Sequence, residues 1–179
     1  MRIWDYRLRE PIFEEIGWVA SMIENSADTI GGWKNHYDRM RRWEVRSLGA
    51  LKDLPRSSFR EAIDFTLAYF LWSHSFLEWL HETGAAEKAE LSQKLKQYRV
   101  WPLCRDIANR VRHFDLRHNP TDKNWSAYRE YLPFESQIAG EERHVANVIF
   151  DGRKWDLSDA ISESAKMWEE VVRDLEKIE

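Results

Sequence analysis

Ser58-Phe59-Arg60-Glu61-Ala62-Ile63-Asp64-Phe65-Thr66-Leu67-Ala68-Tyr69-Phe70-Leu71-Trp72-Ser73-His74-Ser75-Phe76-Leu77-Glu78-Trp79-Leu80-His81 decides the fold. Phe59, Ile63, Leu67, Phe70, Leu71, Phe76, Leu77 and Leu80 recur at three- and four-residue spacing, which predicts one long helix. They occupy much of the circumference, so this helix is expected at the centre of the molecule. Ser58 and Glu61 have the spacing of a capping box, in which each side chain would satisfy the other's backbone amide. Thr83-Gly84 is expected to close the helix. A helix with so narrow a polar face needs neighbours on several sides, and the flanking segments supply them.

Upstream, Ile12 to Ser26 carries Ile12, Phe13, Ile16, Val19, Ala20 and Ile23 at helical spacing. Gly31-Gly32 is expected to interrupt the chain, since each glycine disfavours helix by about 1 kcal/mol. A second helix is predicted from Trp33 to Leu51, ended by Leu54-Pro55. Downstream, Ala85 to Lys96 reads as a short, charge-rich helix. Pro102 suits the first turn of a helix from Trp101 to Leu116, with Leu103, Ile107, Val111 and Phe114 as its apolar stripe and Asn119-Pro120 as its stop. Trp125 to Leu132 and Val145 to Phe150 then alternate as strands. Asp151-Gly152, followed by Arg153-Lys154-Trp155, is a type I′ hairpin signal, and Glu135 to Glu142 is expected to be a loop. A final helix starts near Asp156 or Ser158 and buries Ala160, Ile161, Ala165, Trp168, Val171, Val172 and Leu175. The expected fold is mostly α: a single domain over residues 1–179, a bundle of about five or six helices with a small antiparallel β-hairpin insert at about 125–155.

Composition narrows the functional classes. With 43% hydrophobic and 32% charged residues, the 179-residue chain reads as globular. No apolar run approaches the roughly 18 residues of a membrane span, and the first ten residues lack the apolar core of a secretory signal. Cys104 is the sole cysteine, which excludes an intramolecular disulfide and a cysteine-based zinc site and makes the cytoplasm the expected location. The net charge of -4 argues against coating nucleic acid by bulk attraction. Ten tryptophans are expected as core anchors or as part of a partner surface. There is no Walker A loop, dinucleotide fingerprint or Gly-x-Ser-x-Gly elbow, and no cofactor is expected.

The densest polar cluster is Cys104-Arg105-Asp106-Ile107-Ala108-Asn109-Arg110-Val111-Arg112-His113-Phe114-Asp115-Leu116-Arg117-His118. On a helix, Arg105, Asn109 and His113 would fall near one face. Arginine forks onto phosphate and stabilises developing negative charge, histidine moves protons near neutrality, and Asp or Asn orients both. These parts suffice for RNA cleavage without metal: a base for the 2′-hydroxyl, an acid for the leaving oxygen and a cation for the phosphorane. The same residues would serve equally as surface ion pairs with Asp106, Asp115 and nearby glutamates. A second constellation, His74, Glu78 and His81, shares one face of the central helix. Glu78-Trp79-Leu80-His81 has the Glu-x-x-His form of di-iron bundles, but no second copy falls on a predicted helix, so no metal is expected. The third is Lys34 to Arg46, where His36, Tyr37 and Trp43 interleave with Arg39, Arg41, Arg42 and Arg46. Such a segment either docks single-stranded nucleic acid or forms a solvated helix face.

Arg112-His113-Phe114-Asp115-Leu116-Arg117-His118 resembles the motif of the HEPN superfamily, an arginine, a polar residue and a histidine after four to six intervening residues. In that register Arg112, His113 and His118 are the motif residues. Cys104 to Phe114 also resembles a segment of HEPN-like bacterial proteins, in which Arg105, Asp106 and His113 take those places with seven residues intervening. The resemblance implies a small helical bundle, often a homodimer with two motifs facing each other. It also implies metal-independent RNase or RNA-binding activity in toxin–antitoxin or antiphage systems, with an antitoxin or defence component as protein partner. On this reading Arg105, Asp106, Asn109, Arg112, His113 and His118 are the catalytic candidates. Arg39, Arg42, Arg46, Arg110 and Arg117 are the RNA-binding candidates. A non-catalytic helical interaction protein is the alternative. The two differ in whether the basic cluster is open or is neutralised by acidic neighbours.

Overall fold

A computed structural model of the chain describes residues 31–52, 54, 58–113, 119–131 and 144–177. Among them are five helices, α1 (Trp33–Lys52), α2 (Phe59–Glu82), α3 (Lys88–Leu95), α4 (Trp101–Arg112) and α5 (Leu157–Glu176). Three strands, β1 (Ser126–Tyr131), β2 (His144–Phe150) and β3 (Arg153–Asp156), form a small sheet before α5. The helix expected over Ile12 to Ser26 and the loop from Glu135 to Glu142 lie outside the described residues. The architecture is mostly helical, as the hydrophobic periodicity predicts. None of the described helices is long and apolar enough to cross a membrane.

The central position of α2 follows from its nearly continuous apolar surface. It packs against α1, α3, α4 and α5, and Tyr69, Phe70, Phe76 and Leu80 are wholly buried. Phe76 alone meets Trp33 and Tyr37 of α1 on one side and Trp168 of α5 on another. Phe59, Ile63 and Leu67 sit at the margin of the core, partly buried. A polar seam joins α2 to α5: Trp168 Nε1 donates to Ser73 Oγ at 2.7 Å, Ser73 and Ser164 hydroxyls meet at 3.1 Å, and the Tyr69 hydroxyl donates to the Ile161 carbonyl at 3.3 Å. Each of these buried donors therefore has a partner, which avoids the penalty of an unmade hydrogen bond.

The ends of α2 differ. Ser58 has the extended backbone of an N-cap, but its side chain makes no capping bond, so the expected capping box does not form. The residue is exposed and water can reach the first-turn amides. At the other end Gly84 takes φ +73, its N–H reaches the His81 carbonyl at 2.9 Å, and the Ala85 N–H reaches the Leu80 carbonyl at 2.9 Å. This is the paired closure that a left-handed glycine permits.

The β element is a three-stranded antiparallel sheet in the order β1-β2-β3. Asp151 (φ 49) and Gly152 (φ 68) both occupy the left-handed region that a type I′ turn requires. The turn sets the register Phe150 to Arg153 and Val148 to Trp155. Ala146, Val148, Phe150 and Trp155 belong to the core, and β2 and β3 pack on α5. Asp156 caps α5 by accepting from the Ser158 and Asp159 amides at 2.7 and 3.4 Å.

Candidate functional site

The basic cluster lies on α4, whose buried side holds Trp101, Leu103, Cys104, Ile107 and Ala108. Pro102 stands in its first turn, where a missing N–H costs nothing. The helix stops at Arg112, four residues before the predicted end at Leu116. His113 is already extended, at φ -132 and ψ 133, with its N–H on the Asn109 carbonyl at 2.9 Å. It is exposed at the helix end rather than aligned with Arg105 and Asn109. Val111, expected in the buried stripe, is 41% exposed. Phe114, Arg117 and His118 lie outside the described residues.

The early stop has a physical reason in Asp106, which is 1% exposed. Its Oδ2 accepts from the backbone amides of Thr121 and Asp122, so the chain must return to the level of Asp106 by residue 121. A helix continued to Leu116 would end about 15 Å beyond Asp106 along its axis. Five fully extended residues span only about 17 Å, which leaves almost nothing for the reversal.

Asp106 also takes up the charge of Arg105, whose Nε and Nη2 both lie 2.8 Å from Oδ1. Arg105 Nη2 donates further to Thr121 Oγ1 at 3.0 Å. Asp122 extends the tie, accepting from the Asn124 amide at 2.7 Å and from the Asp151 amide in the hairpin turn at 2.9 Å. Two of the catalytic candidates, Arg105 and Asp106, are thus joined to each other and to the loop that leads into the sheet.

Arg112 has different neighbours. Its Nη2 donates to Asn109 Oδ1 at 2.8 Å and lies 3.4 Å from His74 Nδ1. It has no carboxylate partner among the described residues. His74 comes from α2 and stacks on Trp101, with ring centroids 5.6 Å apart and planes 4° from parallel. Burial, reinforced by the positive charges of Arg112 and Arg105, pulls its pKa down to about 4. The ring is therefore neutral at physiological pH. A guanidinium only donates, so Nδ1 must be the acceptor and the ring proton must sit on Nε2. The sequence places His74 beside Glu78 and His81, because periodicity relates residues along one helix. It carries no signal for the contact across helices. Among the described residues no three metal-capable side chains converge. Cys104 is buried and its thiol is pushed up to about 12 by that burial, so it is inert as a nucleophile. Arg110 is exposed on the last turn.

The arginines of α1 are arranged otherwise. Arg39 lies over the Trp72 ring at 5.8 Å and Arg46 over Trp43 at 5.0 Å. Arg41 stands 2.7 Å from both Glu44 and Glu169, both contacts being ion pairs by distance without hydrogen-bond alignment. Burial raises the pKa of Glu44, while Arg41 opposes the rise. Arg42 is exposed and, with Arg41, Val45 and Arg46, lines a shallow concavity of 340 Å³. His36 is wholly buried, stacked on Phe76, with Nε2 3.0 Å from the Trp72 carbonyl and 3.1 Å from Ser75 Oγ. Tyr37 and Trp43 pack against the core. Trp72 and His74, two residues apart on α2, point about 200° apart. The α1 arginines and Arg112 therefore lie on roughly opposite sides of α2.

No known protein family matches the chain, and no characterised protein or solved structure does either.

Proposed function

We propose that the chain is a HEPN-like RNA-binding protein whose phosphodiester contact is the C-terminal end of α4, and that it acts as a metal-independent endoribonuclease. One observation carries this reading: Arg112 is held by two neutral acceptors, Asn109 and His74, next to the exposed His113. With no carboxylate partner among the described residues, Arg112 keeps its charge for an incoming anion. The geometry favours the register that starts at Arg112 over the one that starts at Arg105, whose charge Asp106 has already met.

In the reaction, a base takes the proton of the 2′-hydroxyl, whose oxygen attacks phosphorus. An acid protonates the departing 5′-oxygen, leaving a 2′,3′-cyclic phosphate. Arg112 stabilises the charge gathered on the phosphorane oxygens. His113, with His118, supplies proton transfer, and Asn109 orients Arg112. A homodimer would bring two such sets to one strand, as the family resemblance implies, within a cytoplasmic toxin–antitoxin or antiphage system. Arg110 and Arg117 would add phosphate contacts, and Arg39, Arg42 and Arg46 at most weak ones, reached only by a strand that passes around α2.

Incubation of the full chain with a mixed RNA pool in EDTA tests the reading. Wild type is expected to cleave, Arg112→Ala and His113→Ala to lose cleavage while staying folded, and Arg105→Ala to retain most of it. Absence of cleavage and of RNA binding by wild type would refute the proposal. The exposure of Val45, at 69%, inside the α1 concavity favours a second reading, a non-catalytic protein that docks a protein partner there.

A further inference from the structure

We propose that His74, delivered by α2, is a positioning residue for a phosphate-class anion site centred on Arg112. This inference rests on the reading of α4 as the phosphodiester contact and names a side chain outside both motif registers. A guanidinium has five N–H donors. Both on Arg112 Nη2 are directed at protein acceptors, one at Asn109 Oδ1 and one at His74 Nδ1. The Nε–H and the two on Nη1 have no partner among the described residues and are the ones available to phosphate oxygens.

Asn109 lies on α4 with Arg112 and can only brace it along its own helix. His74 braces it from a second helix, and a side chain held from two helices loses less freedom when it binds. The brace is itself fixed. The imidazole stacks on Trp101, which is 6% exposed and sits edge-on to the wholly buried Trp168. A charged imidazole has no acceptor to offer on either nitrogen and would repel Arg112 and Arg105. The device therefore works in the neutral Nε2–H form, the form that burial enforces. A lysine or arginine at position 74 would expel Arg112, and a carboxylate would neutralise it. A neutral ring that accepts on one side holds the cation without cancelling its charge.

Two measurements on the full chain test this. In long-range 1H–15N spectra at pH 7, His74 Nδ1 should appear unprotonated and should shift on Arg112→Ala. For a fluorescent single-stranded RNA oligonucleotide, His74→Ala and His74→Gln should each lose about tenfold in affinity, as expected for a lost hydrogen bond to a charged group. His74→Asn, which keeps an acceptor near the Nδ1 position, should stay within about twofold of wild type by the same measure. A proton on Nδ1, or an Nδ1 signal indifferent to Arg112→Ala, overturns the positioning role even where RNA binds. Equal affinity of wild type and His74→Ala does the same. A wild type that binds no RNA refutes the phosphodiester reading, whereas the Nδ1 shift still reports on the His74–Arg112 contact by itself.

Discussion

Two arginine-rich helices flank α2, and they use the same side chain differently. On α1, Arg39 and Arg46 lie on tryptophan faces and Arg41 stands between two carboxylates. On α4, Arg105 is neutralised by a buried aspartate, whereas seven residues later Arg112 meets, among the described residues, an amide and an uncharged imidazole and no carboxylate. Within α4, what separates a structural arginine from a functional candidate is the charge of its acceptor. Local arginine density is similar in both segments and says little about either.

The largest effect should come from the buried end of α4. Asp106→Ala removes the acceptor of two backbone amides and the partner of Arg105, and is expected to cost about 3 kcal/mol. Arg105→Ala, which leaves the two amide bonds in place, should cost nearer about 1 kcal/mol, since its side chain is one-third exposed. Urea unfolding of the two variants checks the order. Equal losses would mean that Asp106 serves Arg105 rather than the returning loop.

The second effect is a pH dependence located at His74. Its folded pKa, about 4, lies below the ordinary value of 6.5. Between those values the unfolded chain binds a proton that the fold refuses, so stability falls as pH drops from 6.5 toward 4, and this contribution levels off below 4. The span corresponds to about 3 kcal/mol. His36, also lowered by burial, acts with the same sign. Unfolding free energies at pH 7 and 4.5 should therefore differ less in His74→Asn than in wild type. An unchanged difference would show that His74 is accessible enough to protonate in the fold, and would remove the contrast between Arg112 and the α1 arginines.

The fold was more legible than the site for reasons visible in single residues. Phe76 and Leu80 declare a central helix because burial repeats with the helical period, and Asp151-Gly152 declares its hairpin because few residue pairs accept positive φ twice. Asp156 announces α5 because its cap acts on the next three residues. The end of α4 was not legible, since it is set by a bond from Asp106 to amides fifteen and sixteen positions away. His74 was legible as a polar residue on the central helix. Its pairing with Arg112 spans 38 positions and leaves no periodic trace. Ser58-Glu61 shows the converse, a local signal that the exposed end of α2 does not use.

A smaller effect compares the helices in binding. Arg112→Ala should weaken RNA affinity about tenfold with little loss of stability. Arg39→Ala and Arg46→Ala should change affinity less than about twofold, while each costs about 0.5 kcal/mol for a lost cation–π contact. Fluorescence polarisation and urea titration on the same three variants separate the cases. A tenfold loss at Arg46 would make the face of α1 a nucleic-acid surface after all.

The smallest effect is the one that best distinguishes the two readings of α1. Val45 is 69% exposed on a helix face shared with Arg42 and Arg46, and Gly49, one turn on, has open space where a side chain would stand. A valine left in water contributes little burial, and surface substitutions away from caps and core shift stability by less than about 0.5 kcal/mol. Val45→Lys should therefore leave unfolding unchanged, and lysine's better helix propensity could even add a few tenths of a kcal/mol. If RNA passes over α1, the added charge should tighten binding and steepen its salt dependence. If the face instead docks a protein partner, the same lysine would put a charge into an apolar contact, weakening that complex and leaving RNA affinity where it was. One substitution that scarcely perturbs the fold thus moves the two readings in different directions.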